Sequence, residues 1–422
     1  MTTIPTPLTV PRSSGTRTAA PRPHPGRLPP PIPAGGPIAV PRPGPRVTDP
    51  RSDGLRTVGV EEELLLVDGS TGAPLAASEQ VRRHAEVLSP GLLDREAKLE
   101  QIESISPPCT ELGEVDRVLR EGRRVADESA RRAGARAVAL GTSPIACDGH
   151  LTPSGRYLAM ADRFGITMRE QLTCGLHVHV GVESAREGVG VLDRIRPWLP
   201  TLLALGGNSP FWHGTDTGYA SYRYQVWGRW PSAGPTELFG SVEAYRRRVR
   251  AMLDTGVPGD HGMVYFDARL SAHVPTVEIR VPDVCMDVEH TVAIVALTRA
   301  LVEAAARDWR RGLAPLGAPT AVLRLAMWAA SADGLRGRLV DPRSGAEVPA
   351  EAALDALLQR TAPVLRDSGE LDRVAEIVAG IVARGTGAER QRRVLREQGD
   401  LGAVVRDAIA VTHGGGSAAG SL

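Results

Sequence analysis

Lysine is almost missing from this 422-residue chain: Lys98 is the single one among 50 Lys and Arg residues. The other basic positions are arginine, as a coding bias would leave them. The two residues are interchangeable at most solvated sites, though not where a planar fork is needed. Net charge is equally scarce. Fifty basic and 49 acidic residues leave a formal +1, which argues against a dedicated nucleic-acid binder with its basic excess in one domain. Aromatic residues make up only 4%, so Leu, Val and Ala must fill the core that a 42% hydrophobic content allows. The four cysteines, Cys109, Cys147, Cys174 and Cys285, form no C-x-x-C pair. Their spacing suits neither a compact zinc site nor a disulfide scaffold, and fits a reducing cytoplasm. No basic-then-apolar signal segment is apparent. The longest apolar stretch, Val292 to Ala306, is interrupted by Arg299 and Glu303 and cannot span a membrane. A soluble cytoplasmic protein is expected. Also lacking are the usual nucleotide loops, G-x-x-x-x-G-K-[ST] and a G-x-G-x-x-G between strand and helix. Any ATP must therefore be held through metals and arginines.

What is present is unevenly spread. Fifteen of the 34 prolines lie in the first 50 residues, with six arginines against Asp49. Residues 1–54 are therefore expected to form a disordered, partly polyproline II tail. A Gly/Ser-rich stretch at 412–422 reads as a second flexible tail. Residues 55–411 form the body. Within it Thr57–Val67, Arg136–Gly141, Cys174–Val182, Met263–Leu270 and Thr276–Val281 are predicted strands, from β-branched content and period-2 alternation. Helical periodicity covers Leu112–Ala133, Gly190–Ala204, Val242–Asp254, Glu289–Trp309, Pro319–Ser331 and three stretches after Ala350. An α+β body with one sheet and a helical C-terminal part follows.

The strands alternate apolar residues with an unusual set of polar ones. Val58, Val60, Leu64 and Leu66 share a face with Glu62, while Glu61 and Glu63 point the other way. Leu176, Val178, Val180 and Val182 oppose Gly175, His177, His179 and Gly181. Val277, Ile279 and Val281 oppose Thr276, Glu278 and Arg280, and the 263–270 segment sets Tyr265, Asp267 and Arg269 on its polar side. An ordinary solvated face favours Thr, Lys, Ser and Gln. Carboxylates with neutral imidazoles are ligands for hard divalent cations, and arginines match phosphate oxygens. The same scheme on four strands suggests the floor of a metal–phosphate site. Glu103, in Gln101-Ile102-Glu103, is a candidate third carboxylate.

These segments together resemble a known family. Gly59-Val60-Glu61-Glu62-Glu63, Gln101-Ile102-Glu103, Cys174-Gly175-Leu176-His177-Val178-His179-Val180-Gly181 and Asn208-Ser209-Pro210-Phe211-Trp212 are similar to motifs of carboxylate–amine ligases. So are Gly218-Tyr219-Ala220-Ser221-Tyr222-Arg223 and Pro275-Thr276-Val277-Glu278-Ile279-Arg280-Val281-Pro282-Asp283. The six occur in the order of the bacterial type 2 glutamate–cysteine ligases, and the resemblance spans about residues 56 to 385. It implies a glutamine-synthetase-like catalytic fold, a curved and largely antiparallel sheet of about six strands backed by helices. It also implies ATP and Mg²⁺ or Mn²⁺, an acyl-phosphate intermediate, and a γ-glutamyl-type amide from an amino-acid carboxylate and a small amine. The family name gives glutamate and cysteine, with weak activity, and leaves a different acid and amine open.

The resemblance places metal ligands at Glu61, Glu63, Glu103, His177 and Glu278, with Glu96 as a further acidic ligand and Glu100 its competitor. Arg280 falls on a phosphate-facing arginine, and His179 on a residue touching nucleotide phosphate or lining the site. Arg223 and Arg269 are candidates for the substrate carboxylate or phosphate, against structural salt bridges. Bland roles are expected elsewhere: packed thiols at Cys109 and Cys174, wall or core for Trp212, Trp227 and Trp230, and loop positions for His213, His261 and His273. Asp283 is expected to cap the helix beginning near Asp287. Two other functions compete, a metal hydrolase using the His-x-His strand and a non-catalytic nucleotide- or amino-acid-binding descendant. No nucleic-acid or membrane partner is expected, and a homodimer is the default assembly.

Overall fold

The computed structural model describes residues 54–414. The tails expected at 1–54 and 412–422 lie outside these residues except at Gly54 and at 412–414, where Thr412 is still helical and His413 Nε2 pairs with the Ala137 carbonyl at 2.8 Å, so the chain is ordered further than expected. Strand β1 (Val58–Val67) comes first, then α1 (Ser78–Leu88), β2 (Leu93–Arg95) and β3 (Gln101–Ile105). Next are α2 (Leu112–Arg132), β4 (Arg136–Val138), α3 (Gly155–Phe164), α4 (Ile166–Arg169) and β5 (Leu176–Gly181). Helices α5 (Ala185–Ile195) and α6 (Leu199–Leu205) precede a short pair, β6 (Phe211–Trp212) and β7 (Thr215–Asp216). Helices α7 (Tyr222–Trp227) and α8 (Val242–Asp254) lead to β8 (Ala268–Leu270) and β9 (Thr276–Ile279). Then come α9 (Val288–Arg310), α10 (Thr320–Asp333) and the pair β10 (Arg338–Val340) and β11 (Glu347–Pro349). Four helices close the described chain: α11 (Ala350–Asp367), α12 (Leu371–Arg384), α13 (Gly387–Gln398) and α14 (Leu401–Thr412).

Among the described residues the main sheet runs β2-β3-β1-β5-β9-β8, with β4 paired to the far half of β1. Every pairing in it is antiparallel. This is the α+β architecture expected. Period-2 alternation puts Val58, Val60, Leu176, Val178, Val180, Val277 and Ile279 on one face, all buried. That face packs on α9, whose Val292 to Ala306 stretch is apolar on most sides and buried among helices. Leu64, Leu66 and Val138 belong to a second cluster closed by α1, α2 and α14.

Glu62 lies on this core face too. It is 1% exposed and accepts from Arg123 Nη2 and Nε at 2.6 and 2.9 Å and from the Thr291 hydroxyl at 3.0 Å. A buried carboxylate needs such a partner.

Several elements differ from expectation for identifiable reasons. The helix predicted over Gly190–Ala204 ends at Ile195 and restarts at Leu199 after a 3₁₀ turn holding Pro197. Proline removes the amide that a continuous helix would use. The strand predicted over Met263–Leu270 shrinks to Ala268–Leu270. Val264, Tyr265, Phe266 and Asp267 are all buried, so their alternation marks no solvent face. The helical C-terminal part has four helices after Ala350 rather than three. Gly369, Gly385 and Gly399 break them with φ of +69°, +90° and +67°, which glycine adopts without strain.

Candidate active site

The opposite face of the sheet carries the polar residues, and registry decides which of them meet. Glu63 lies across from Glu103, and Glu61 across from His177. His179 lies between Gly59 on one neighbour and Glu278 on the other, and Glu278 faces Arg269. Directly opposed residues have Cβ atoms about 5 Å apart, so their side-chain ends touch. Seven strand-borne groups thus form a band across β3, β1, β5, β9 and β8.

The contacts follow. His177 Nδ1 is 3.0 Å from Glu61 Oε2, and its Nε2 is 3.8 Å from Glu63 Oε1. His179 Nδ1 pairs with the Thr276 hydroxyl at 2.9 Å, while its Nε2 is 3.3 Å from Glu61 Oε1. Both Nε2 atoms are buried without a hydrogen-bond partner among the described residues. Glu63 Oε2 accepts the Gly175 amide at 2.5 Å. Three overlapping groups bring their ligand atoms within 4.8 Å of one another: Glu61–His179–Glu278, Glu61–Glu103–His177 and Glu63–Glu96–Glu103. Buried imidazole nitrogens aimed at clustered carboxylates are the donor set a hard divalent cation takes. The residues present fit such an ion.

The electrostatics point the same way. Burial and the neighbouring Glu63 push the Glu96 carboxyl up to about 8, and burial with Glu96 drives Glu103 well above the ordinary range. The cluster holds more carboxylates than it can ionise alone. Burial opposes charge on Glu61, but the His177 hydrogen bond and the nearby His179 ring hold it far below its usual value. Glu278 is held low against burial by Arg280 and Arg269. Burial, aided by Arg280, lowers His177. Burial works against a charged His179, yet Glu61 and Glu278 keep it raised.

Of the two carboxylates weighed as the further acidic ligand, Glu96 joins the cluster. Glu100 is fully buried and turns to the His150 amide and ring at 2.9 and 2.5 Å. Arg269 grips Glu278 with Nε and Nη2 at 2.7 and 3.1 Å, and Arg280 pairs with the same carboxylate. Arg280 Nε has no partner among the described residues, and its guanidinium lies 5.4 Å from the Trp227 ring centroid. Arg223 packs over Gly175, where an added methyl would lie 2.1 Å from Nη2. It donates to the Arg280 and Val281 carbonyls, each at 3.3 Å.

Asp283 does not cap a helix. Asp287 does, accepting the Glu289 amide at 3.0 Å. Asp283 is fully buried and accepts from the Asn208 amide and the Ser209 and Ser221 hydroxyls at 2.7–2.8 Å. It joins three separate motifs behind the two arginines. Its position four residues before Asp287 suggested a cap, and no local pattern reveals partners 62 to 75 residues away. Trp227, expected to be mere wall, lies under both guanidiniums, 6.0 Å from Arg223.

Residues 57–407 match the family model described as glutamate-cysteine ligase family 2. A Streptomyces avermitilis relative with the provisional name glutamate–cysteine ligase 2-1 is 49% identical over 362 residues, 85% of this chain and 100% of its own. One from Paenarthrobacter aurescens, provisionally named glutamate–cysteine ligase 2-3, is 50% identical over 338 residues, 80% of each chain. A Francisella tularensis glutamate–cysteine ligase solved in complex with AMP superposes with a TM-score of 0.63 at 14% identity. It covers 86% of this chain and 90% of that one, a likeness of fold.

Proposed function

The chain belongs to glutamate-cysteine ligase family 2, and on that premise we propose that this ligase joins an amino-acid carboxylate to a small amine at the cost of ATP. The observation that carries the proposal is the band of clustered carboxylates with two buried, unpartnered imidazole nitrogens and arginines at one end. Glu61, Glu63, Glu96, Glu103, His177 and Glu278 would hold Mg²⁺ or Mn²⁺. Such cations, when bound, neutralise the phosphate oxygens and the charge that develops on transfer.

The substrate carboxylate attacks the γ-phosphorus, ADP leaves, and an acyl phosphate forms. The amine then attacks the acyl carbon, inorganic phosphate leaves, and the amine gives up a proton. Arg280 and His179 face the transferred phosphate in this scheme. Arg269 holds Glu278 in place, and Arg223 steadies the acid from beside Gly175. Guanidinium groups suit this work because their planar donors pair two phosphate or carboxylate oxygens at once. Glutamate and cysteine are the first pair to try, in keeping with the names of the relatives.

Phosphate release from ATP with Mg²⁺ or Mn²⁺, screened over amino acids and amines, tests the proposal. Release that needs both an acid and an amine, and is abolished in Glu278→Ala, is expected. Tight Zn²⁺ binding with hydrolysis that ignores ATP would overturn it in favour of a metal hydrolase. Nucleotide binding without turnover in any combination would overturn it in favour of a binding protein.

A further inference from the structure

Among 50 basic residues only one position is lysine, and it is fully buried. Lys98 donates from Nζ to the Gly149 carbonyl at 3.0 Å and to the Arg169 carbonyl, at the end of α4, at 2.6 Å. A burial this complete is rare for lysine without such partners. Around it the 96–100 segment is stitched to the loop at 149–152. The Leu99 amide donates to the His150 carbonyl at 2.9 Å, and the Thr152 amide to the Ala97 carbonyl at 3.0 Å. The Thr152 hydroxyl donates to the Glu96 carbonyl at 2.6 Å. Glu100 completes the seam through the His150 amide.

Of the clustered carboxylates this seam carries only Glu96, two residues before Lys98. Glu96 stands outside the regular strands, so no ladder fixes its backbone. We propose that Lys98 is a positioning residue that fixes the Glu96 carboxylate against Glu63 and Glu103, and that arginine cannot replace it there. The inference rests on the metal-binding role proposed above.

The chemistry accounts for the choice of residue. An ammonium is compact and can aim separate protons at two carbonyls from different segments, whereas a guanidinium is a wider planar fork. The side chain is enclosed: Lys98 is fully buried, its Nζ is held between the Gly149 and Arg169 carbonyls, and a methyl on Gly149 would already be in van der Waals contact with Cδ and Nζ at 3.4 Å. Arginine would have to displace Gly149 or one of the two acceptors. A coding bias that turned the other basic positions to arginine would meet a steric and hydrogen-bonding limit here.

Mn²⁺ titration of the full chain, followed by the spectrum of the free ion, tests this without reference to turnover. Lys98→Arg is expected to weaken Mn²⁺ binding at least ~10-fold, the scale on which residues behind metal ligands act. Thr152→Val, which removes only the bond to the Glu96 carbonyl, should shift affinity in the same direction by less. Arg123→Met, which damages the opposite face, separates positioning from general instability. The inference is overturned if both variants bind Mn²⁺ as the parent does, or if their affinity loss is no greater than that of Arg123→Met. Should Lys98→Arg fail to fold, Thr152→Val decides by the same comparison. A parent protein that binds no Mn²⁺ would overturn the metal-binding role and this inference together.

Discussion

Two adjacent glutamates on β1 show how far neighbouring residues can differ in duty. Glu61 turns to the histidines on one face, and Glu62 turns to Arg123 on the other. The Glu62–Arg123 pair is dry, and removing one partner strands a charge. Arg123→Met is therefore expected to cost about 3–5 kcal/mol, read as a lower urea midpoint. Glu61→Gln keeps an amide oxygen for the histidines and relieves its repulsion of Glu96 and Glu103, so it should cost less stability. Much of this was legible in sequence. Glu61, Glu63, His177, His179, Glu278 and Arg280 fall on alternate positions of strands whose other face is apolar, and a period of two puts them together. Glu96 was legible only through family resemblance, because it lies on no strand. The partners of Glu62, Glu100 and Asp283 were not legible, since each comes from a segment at least 50 residues distant and no periodicity encodes that.

At the scale of elements, what read well were strands with one wet face and long amphipathic helices. β2 and β3 have polar or mixed residues on both sides, and the sheet, rather than their own pattern, makes them strands. Helix α5 shows packing overriding propensity. Gly190 sits mid-helix, where alanine would ordinarily gain about 1 kcal/mol. Here an added methyl would lie 2.2 Å from Trp309 Cδ1 and 2.6 Å from its Cγ, at the contact of α5 with α9. Overpacking of that kind costs about 1–3 kcal/mol. Gly190→Ala is expected to lower the thermal midpoint, and a raised midpoint would show that Trp309 swings aside at little cost.

For the molecule as a whole, Arg56 marks where the body begins. Its guanidinium reaches Glu187 on α5 at 2.6 Å, Glu303 on α9 at 2.7 Å and the Gly181 carbonyl at 2.7 Å. The family match starts one residue later, at 57. A chain starting at Gly54 is expected to keep the thermal midpoint and the phosphate release of the parent. Arg56→Ala in that shortened chain should lose stability, because buried Glu187 would keep only the Glu183 amide at 2.6 Å and the more distant Arg310.

The band across the sheet sets the order of events in synthesis and folding. His179 meets Glu61 from early in the chain and Glu278 from late in it, so these contacts are of long sequence separation. Such pairings form slowly, because loop closure must precede their reward. A growing polypeptide that has emerged only as far as β5 can pair β1 with β5, but β9 has yet to arrive. Synthesis cut short there therefore yields fragments whose band lacks Glu278 and Arg269.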